Sequence, residues 1–391
     1  MVAGGGPAGM MLGLLLARAG LRVTVLEKHA DFLRDFRGDT IHPSTLQVLH
    51  ELGMADEFLR LRHTKVRQLA AAFGGRQFPI VDLRRLSVRY PFIAMIPQWD
   101  FLDFLAGAAR AYRSFELRMQ TEATGLLFAG NRVTGVQTNA GPLAADLVVA
   151  ADGRHSTLRA AAALEVIDLG APIDVLWFRV SRRPDDPAQA MVRLDPGSIV
   201  VMLDRGEYWQ CAFVIAKGAL DQVKGRGLDA FRATLARLMP FAAERLREIA
   251  SWDHVKLLTV QVNRLRTWYR EGLLCLGDAA HAMSPVGGVG INLAIQDAVA
   301  AANLLWTGEF SARVLRSVQD RREFPTRVTQ QFQLLVQERI LSRVLSADAD
   351  AADPPFVLRL LSRFALLRQI PARIVGVGVR PEHVRSPAVT A

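Results

Sequence analysis

The sequence holds only two cysteines, Cys211 and Cys275, each inside an apolar, strand-like run. Two isolated thiols make no disulfide framework, and such a composition suits a reducing cytoplasm with both thiols buried and inert. Lysine is almost as scarce: Lys28, Lys65, Lys217, Lys224 and Lys256 are the only five, so the net charge of +10 comes almost wholly from arginine. Those arginines are scattered along segments such as 232–247 and 313–327, with no continuous basic run and little aromatic interleaving, which argues against a nucleic-acid partner. Their field would instead attract anionic cofactors. No apolar run reaches the roughly 18 residues a membrane span needs. The longest, 291–306, is broken by Gln296 and Asp297, so no transmembrane segment is expected. Nor is a signal peptide expected, since a glycine loop begins at residue 4. Metal-ligand spacing, a nucleophile elbow and a phosphate-binding P-loop are all missing, so no metal site is expected.

What remains is a chain of 391 residues, 50% hydrophobic and 22% charged. That is ordinary for a soluble globular protein and long enough for two or three domains. Residues 1–27 read as strand, glycine turn, helix, strand, a minimal βαβ unit. Residues 43–61 and 100–112 read as helices, 117–138 as two strands around a Gly130–Asn131 turn, and 146–151 as a short buried parallel strand. The pattern then changes. Runs at 173–180, 189–195, 198–204 and 208–216 show period-two character, separated by turns at 195–197 and 204–206, and predict an antiparallel sheet. Helix returns at 227–250, a strand at 255–262, and a second buried strand at 272–277. A long apolar helix follows from 290, then amphipathic helices at 309–345 and 355–375 around a polar loop at 347–353.

Three motifs carry chemistry. The first is Gly4-x-Gly6-x-x-Gly9, with Pro7 and Ala8 opening the helix. Its glycines permit the tight turn, a close backbone approach to a pyrophosphate, and helix–strand packing. The helix N-terminus then points free N–H groups and a positive dipole at phosphate. Glu27 ends the second strand 18 residues after Gly9. Placed there, its carboxylate accepts bonds from ribose hydroxyls, with Lys28 beside it. The second motif, Asp152-Gly153 with Ser156 and Arg159, follows a buried strand and enters a helix. The third is Gly277-Asp278 with His281, then Pro285, Gly288, Gly290, Ile291 and Asn292. Asp278 can accept a bond from a polyol hydroxyl, and the following helix N-terminus forms a second anion site. His281 reads as structural rather than as a base, because the neighbouring motif already explains the turn.

In this order and spacing the motifs resemble the class A flavoprotein monooxygenases typified by para-hydroxybenzoate hydroxylase. The resemblance covers about residues 1–330. It implies an α/β fold: a Rossmann-type FAD-binding domain (1–70, 97–165, 265–330), an inserted antiparallel β-sheet substrate domain (71–96, 166–264) and C-terminal helices (331–391). It further implies that Gly4, Gly6 and Gly9 bind the ADP part of FAD, that Asp152 touches the pyrophosphate region, and that Gly277 and Asp278 hold the ribityl chain. By the same resemblance Arg37, in the run 37–43, and Gln98 contact the flavin. The implied reaction uses NADH or NADPH as a transient co-substrate and O2, with a flavin C4a-hydroperoxide hydroxylating a small aromatic or polycyclic organic substrate. Catalysis is then flavin-centred, with His42, His281 and Pro285 as side-chain candidates.

One departure stands out. Only Met1, Val2 and Ala3 precede Gly4, against the five or six residues of a typical strand, so a weakened central strand and lower FAD affinity are expected. Rivals share the same motifs. A flavin halogenase would carry Trp-x-Trp-x-Ile-Pro, which residues 208–211 do not match. A saturase or dehydrogenase, and a flavin-fold binding protein without turnover, stay open, as does monomer against homodimer. Substrate contacts are expected on the 173–216 sheet at Trp177, Arg179, Met202, Trp209 and Phe213, with the inward face unassigned.

Overall fold

The computed structural model describes residues 1–33, 40–73, 76–187, 191–346, 354 and 356–389. Arg37 and the predicted loop at 347–353 lie outside them.

The first βαβ unit forms as its signals require. The strand Val2–Ala3 leads through the glycine turn into the helix Pro7–Arg18, where proline at the first turn removes an N–H that would have no acceptor. Every residue from 8 to 17 is buried. Gly13 allows that burial, because a Cβ there would meet Val25 at 2.7 Å. The strand Val23–Leu26 follows. Val2 and Ala3 pair in parallel with Val25 and Leu26 on one side and with Val149 and Ala150 on the other. Two residues therefore hold the central place in a six-stranded sheet. Its order runs Tyr269–Arg270, Leu273–Cys275, Val148–Ala150, Val2–Ala3, Val23–Leu26, Phe115–Arg118. All neighbours are parallel except the hairpin at 269–275.

The helices Pro7–Arg18, Gln98–Ala109 and Gly290–Leu305 share one core around Met10, Leu14, Phe101, Leu105, Ile295 and Val299. The stretch Val286–Leu305 is long and apolar enough to cross a membrane, yet 78% of it is buried inside the fold. It is the core helix of this layer.

A second sheet of seven strands runs in the order Lys256–Leu258, Ile173–Ser181, Tyr208–Ala216, Ser198–Asp204, Met191–Asp195, Gln68–Phe73, Arg76–Asp82. The four strands expected between 173 and 216 are all present. The sheet is not purely antiparallel, because residues 191–194 pair in parallel with residues 70–73. A division at residue 70 would cut the strand Gln68–Phe73, whose pairing partners belong to the second sheet. One face of this sheet is covered by the helix Leu228–Leu238 and the helical turns Pro240–Glu248. The other meets the C-terminal helices and the end of the first domain. Residues 331–391 do not form one appended unit. The helices Phe356–Arg363 and Gln369–Gly376 pack on the second sheet side, whereas residues 380–389 run back over the first domain.

Candidate functional site

The three motifs converge at the carboxyl ends of the central parallel strands, where open α/β sheets bind ligands. Gly4 adopts φ +112°, and a Cβ on it would lie 2.3 Å from the Ala151 carbonyl oxygen. A Cβ on Gly9 would lie 1.9 Å from the Gly4 oxygen. Both glycines are therefore required by the protein itself. Gly6 differs: its backbone is extended, and a Cβ there meets nothing within 4 Å. As the N-cap residue, Gly6 supplies no side-chain cap to the helix that begins at Pro7, so among the described residues the first N–H groups are left to that open space.

Glu27 is 9% exposed. One carboxylate oxygen accepts from Gly5 N at 3.1 Å and the other from His29 N at 3.0 Å. The side chain thus braces the glycine loop it adjoins. Lys28 points outward, 3.7 Å from Glu122, with both side chains at least half exposed. Gln98 begins its helix and is partly buried.

The other two motifs are tied together. Asp152 accepts from Ser156 Oγ at 2.5 Å and Leu158 N at 3.1 Å, so its carboxylate is committed to the short helix Thr157–Ala161. The carboxylate thus shapes the loop that carries it. Arg159 donates to the Ala279 carbonyl at 3.1 Å and the Arg154 carbonyl at 2.8 Å, joining the two turns. Asp278 is about one-third exposed and lies 3.6 Å from Arg154. Gly277, at φ +58°, fits between two helices: a Cβ on it would lie 3.2 Å from Ala8 and 3.3 Å from Ala294. The helices 7–18 and 290–305 therefore bring their N-terminal ends to this one turn.

His281 is 1% exposed and lies 2.5 Å from the Asp297 carboxylate, which also accepts from Gly277 N at 3.2 Å and Arg322 Nε at 2.9 Å. A ring so enclosed helps to fix the turn. Pro285 precedes the turn Val286–Gly288, and Gly290 opens its helix with no side-chain cap and open space where a Cβ would be.

The Asn292 side chain is bonded inside the protein. Its side-chain oxygen accepts from His42 N at 2.9 Å and Thr45 Oγ1 at 2.6 Å, and its amide donates to the Thr40 carbonyl at 3.2 Å. Only the backbone N–H of Asn292, with those of Gly290 and Ile291, remains for a ligand. Thr40 Oγ1 in turn donates to the Gly288 carbonyl at 2.9 Å. His42 is fully buried, its Nδ1 2.6 Å from the Val375 carbonyl. Burial drives its pKa down to about 4, against the raising effect of that carbonyl. The ring is thus neutral at pH 7, and its Nε2 has no hydrogen-bond partner among the described residues.

The sheet candidates separate by face. Met202, Trp209 and Phe213 are 0%, 0% and 6% exposed and pack under the helix 228–238 and the turns at 240–248. Trp209 donates from Nε1 to Asp186 at 2.8 Å, and Asp186 pairs with Arg245 at 2.6 Å. Those three belong to the core beneath that layer. Period-two alternation leaves Trp177 on the opposite face, beside Val175, Val201 and Ala212. Arg179 follows it on that face, 5.0 Å above the Tyr208 ring. Farther along, Leu203 joins Val289 of the motif loop in one apolar cluster.

One group of residues that braces the motif loop gave no motif signal. On the helix Ala312–Val336 and the turn after it, buried glutamines recur at 330, 333 and 337. Gln330 donates to the Asn263 and Ala282 carbonyls at 2.7 and 3.2 Å, and Gln333 to those of Ser284 and Val286, both at 2.9 Å. Gln337 bonds Ser284 Oγ. They hold the backbone of residues 282–286, and their helical spacing was the available clue.

The donor set fits an extended dinucleotide. It offers two uncapped helix N-termini, an open position at Gly6 and an accessible carboxylate at Asp278. The group of His, Cys, Asp and Glu side chains a metal would need does not occur among the described residues. A cleft of about 540 Å³ lined by Arg22, Arg132, Asp146 and Ser311 lies at the amino ends of the same strands, away from this chemistry.

Comparison with known proteins agrees with this geometry. Residues 1–331 match the family model described as an FAD binding domain. The 6-methylpretetramide 4-monooxygenase of Streptomyces rimosus is 32% identical, over 98% of this chain and 93% of its own length. A rifampicin monooxygenase of Streptomyces venezuelae is 30% identical over 78% of this chain; the match spans 63% of that relative. Among solved structures, pqsL, a probable FAD-dependent monooxygenase from Pseudomonas aeruginosa, superposes with a TM-score of 0.74 at 21% identity, covering 88% of this chain and 95% of its own. The Diels-Alderase PyrE3 does so at 0.75 and 21%, covering 96% and 79%. At those identities the structures speak for the fold alone.

Proposed function

Because this chain belongs to the class A flavoprotein monooxygenases, built on an FAD binding domain, we propose that it hydroxylates a polycyclic aromatic substrate with NADH or NADPH and O2. The observation that carries this reading is the meeting of two uncapped helix N-termini at the Gly277 turn, beside a sheet whose facing surface is apolar. Gly6 and the first turn of the helix 7–18 would take the pyrophosphate, and Glu27 the adenosine ribose. Asp278 would take the ribityl hydroxyls. The N–H groups of residues 290–292 would face the flavin ring. Gln98 is assigned to the same ring by its place at a helix start, and Arg37 by the family pattern. Bound FAD would accept hydride from the nicotinamide and activate O2 for transfer of one oxygen atom to an electron-rich ring.

The chain's own part is positional. Anion-binding N–H groups favour negative charge on the ring. The ties Thr40–Gly288 and Asn292–His42 hold that edge in place. The apolar strip Val175, Trp177, Val201 and Ala212 supplies a dry wall suited to a flat, fused-ring substrate. The buried thiols, Cys211 and Cys275, are pushed far above their ordinary pKa by burial, so neither is a nucleophile, and both suit a cytoplasmic setting.

The test is direct. The purified protein is mixed with FAD and either nicotinamide cofactor, and oxidation is followed with and without 6-methylpretetramide and other polycyclic phenols. Faster oxidation with one of them, plus a product heavier by one oxygen, supports the reading. Product formed without nicotinamide oxidation would overturn it.

A further inference from the structure

Residues 380–389 are bound across the first domain by a set of contacts that the flavin reading does not require. Asn303 accepts from Arg385 N at 2.7 Å and Ser386 N at 3.0 Å, and it donates to the His383 carbonyl at 2.8 Å. Glu51 lies 2.5 Å from His383 and accepts from Val384 N at 2.8 Å. Arg18 donates to the Ser386 and Pro387 carbonyls at 3.0 and 3.2 Å, and Val389 N donates to the Arg18 carbonyl at 2.9 Å. Arg18, Glu51 and Asn303 stand at or near the carboxyl ends of the helices 7–18, 43–51 and 290–305. Two of these, 7–18 and 290–305, are the helices whose amino ends meet at the Gly277 turn. The strap joins their far ends.

Its first turn reaches inward. Glu382 is 3% exposed, and both of its carboxylate oxygens accept from Arg321 Nε at 2.8 Å; its backbone N–H bonds the Gln296 side chain. Glu382 also lies 3.6 Å from the Arg322 guanidinium, which donates to the Arg380 carbonyl at 3.4 Å. Arg322, 1% exposed, donates to Asp297 at 2.9 Å, and Asp297 holds Gly277 N and the His281 ring. Burial pushes the Asp297 carboxyl up, but the neighbouring His281 and Arg322 outweigh it and hold the group below its ordinary range. Arg380 adopts φ +52°, a strained conformation for a non-glycine, over the Phe324 ring at 4.4 Å. The strap is therefore held, not merely resting.

We propose that strap docking and FAD binding are coupled through Glu382, Arg322 and Asp297, with Glu382 acting as a positioning residue for the Gly277–Asp278 turn. The proposal rests on the flavin reading above. Without Glu382, Arg322 loses the carboxylate that balances it on the strap side. It then holds Asp297, and hence the turn, less firmly. Coupling is reciprocal: whatever factor the docked strap adds to FAD affinity, bound FAD adds to strap docking.

Full-length Glu382→Ala, Glu382→Gln and Glu382→Asp are titrated with FAD by flavin fluorescence, and amide hydrogen exchange of residues 380–389 is followed with and without FAD. Both neutral variants are expected to raise the FAD dissociation constant about tenfold, within the usual range for coupled sites. Glu382→Asp should recover most of it. FAD should slow strap exchange in the parent protein and not in Glu382→Ala. FAD affinity within about twofold of the parent in both neutral variants, or strap exchange blind to FAD in the parent, would overturn the coupling. A parent protein that takes up no FAD would sink the flavin reading and this proposal together. Unchanged affinity in the variants alone would sink only this one.

Discussion

Acidification is expected to loosen this protein through one histidine. His42 is neutral and fully buried, with a pKa near 4 against an ordinary 6.5. Above pH 6.5 the ring is neutral in both folded and unfolded chains and contributes no pH dependence. Between 6.5 and about 4 the unfolded chain binds a proton that the folded chain refuses, so stability falls as the pH drops through that window. At about 1.4 kcal/mol per tenfold change, the loss reaches about 2 kcal/mol by pH 5 and about 3 kcal/mol by pH 4. The site should feel it too, since the backbone of His42 is bonded to Asn292 and the Thr40 hydroxyl to the Gly288 carbonyl. The assay is urea denaturation at pH 7.5, 6 and 5 for the parent and for His42→Asn, whose amide can still donate to the Val375 carbonyl. The remaining histidines are common to both proteins and cancel. The variant should lose about 2 kcal/mol less than the parent between pH 7.5 and 5. Parallel curves for the two proteins would refute the reasoning.

Two further expectations separate ligand contacts from fold contacts. Gly6→Val should leave the thermal midpoint of FAD-free protein nearly unchanged, because its side chain enters open space, yet weaken FAD binding at least tenfold; Gly9→Val should fail in both, as its Cβ would overlap the Gly4 carbonyl, and equal FAD affinity in Gly6→Val and parent would remove Gly6 from the site. Asp186→Asn strands the buried Arg245 guanidinium and should cost about 3 kcal/mol in urea denaturation while leaving FAD affinity intact, since the pair lies under the helix-covered face of the sheet.

The parts of the fold written in short-range signals were legible. The glycine turn, the buried strands that end in Asp-Gly and Gly-Asp, and the four period-two runs each depend on neighbours in the chain. The face of the second sheet was not legible, because both faces are apolar: Phe178 and Val180 look toward one helix layer, Val175 and Trp177 away from it. Only the later folding of residues 228–248 over one side decides between them. The parallel seam between residues 191–194 and 70–73 joins segments some hundred residues apart and leaves no local trace. The side-chain bonds by which Asp152 and Asn292 brace their loops also have no local signature, and for Asn292 they reach residues some 250 positions away. The glutamines at 330, 333 and 337 read as a polar helix face until the carbonyls they bond are in view.

The central claim, oxygen transfer by a flavin held at the Gly277 turn, is tested most directly by isotope. FAD-loaded protein is given reduced nicotinamide, a polycyclic phenol that speeds its oxidation, and isotopically labelled O2, and the product is weighed by mass spectrometry. The account predicts one labelled oxygen atom in the product, lost when Gly6→Val replaces the parent. A product carrying oxygen from water, or a product rearranged or reduced without added oxygen, would contradict it.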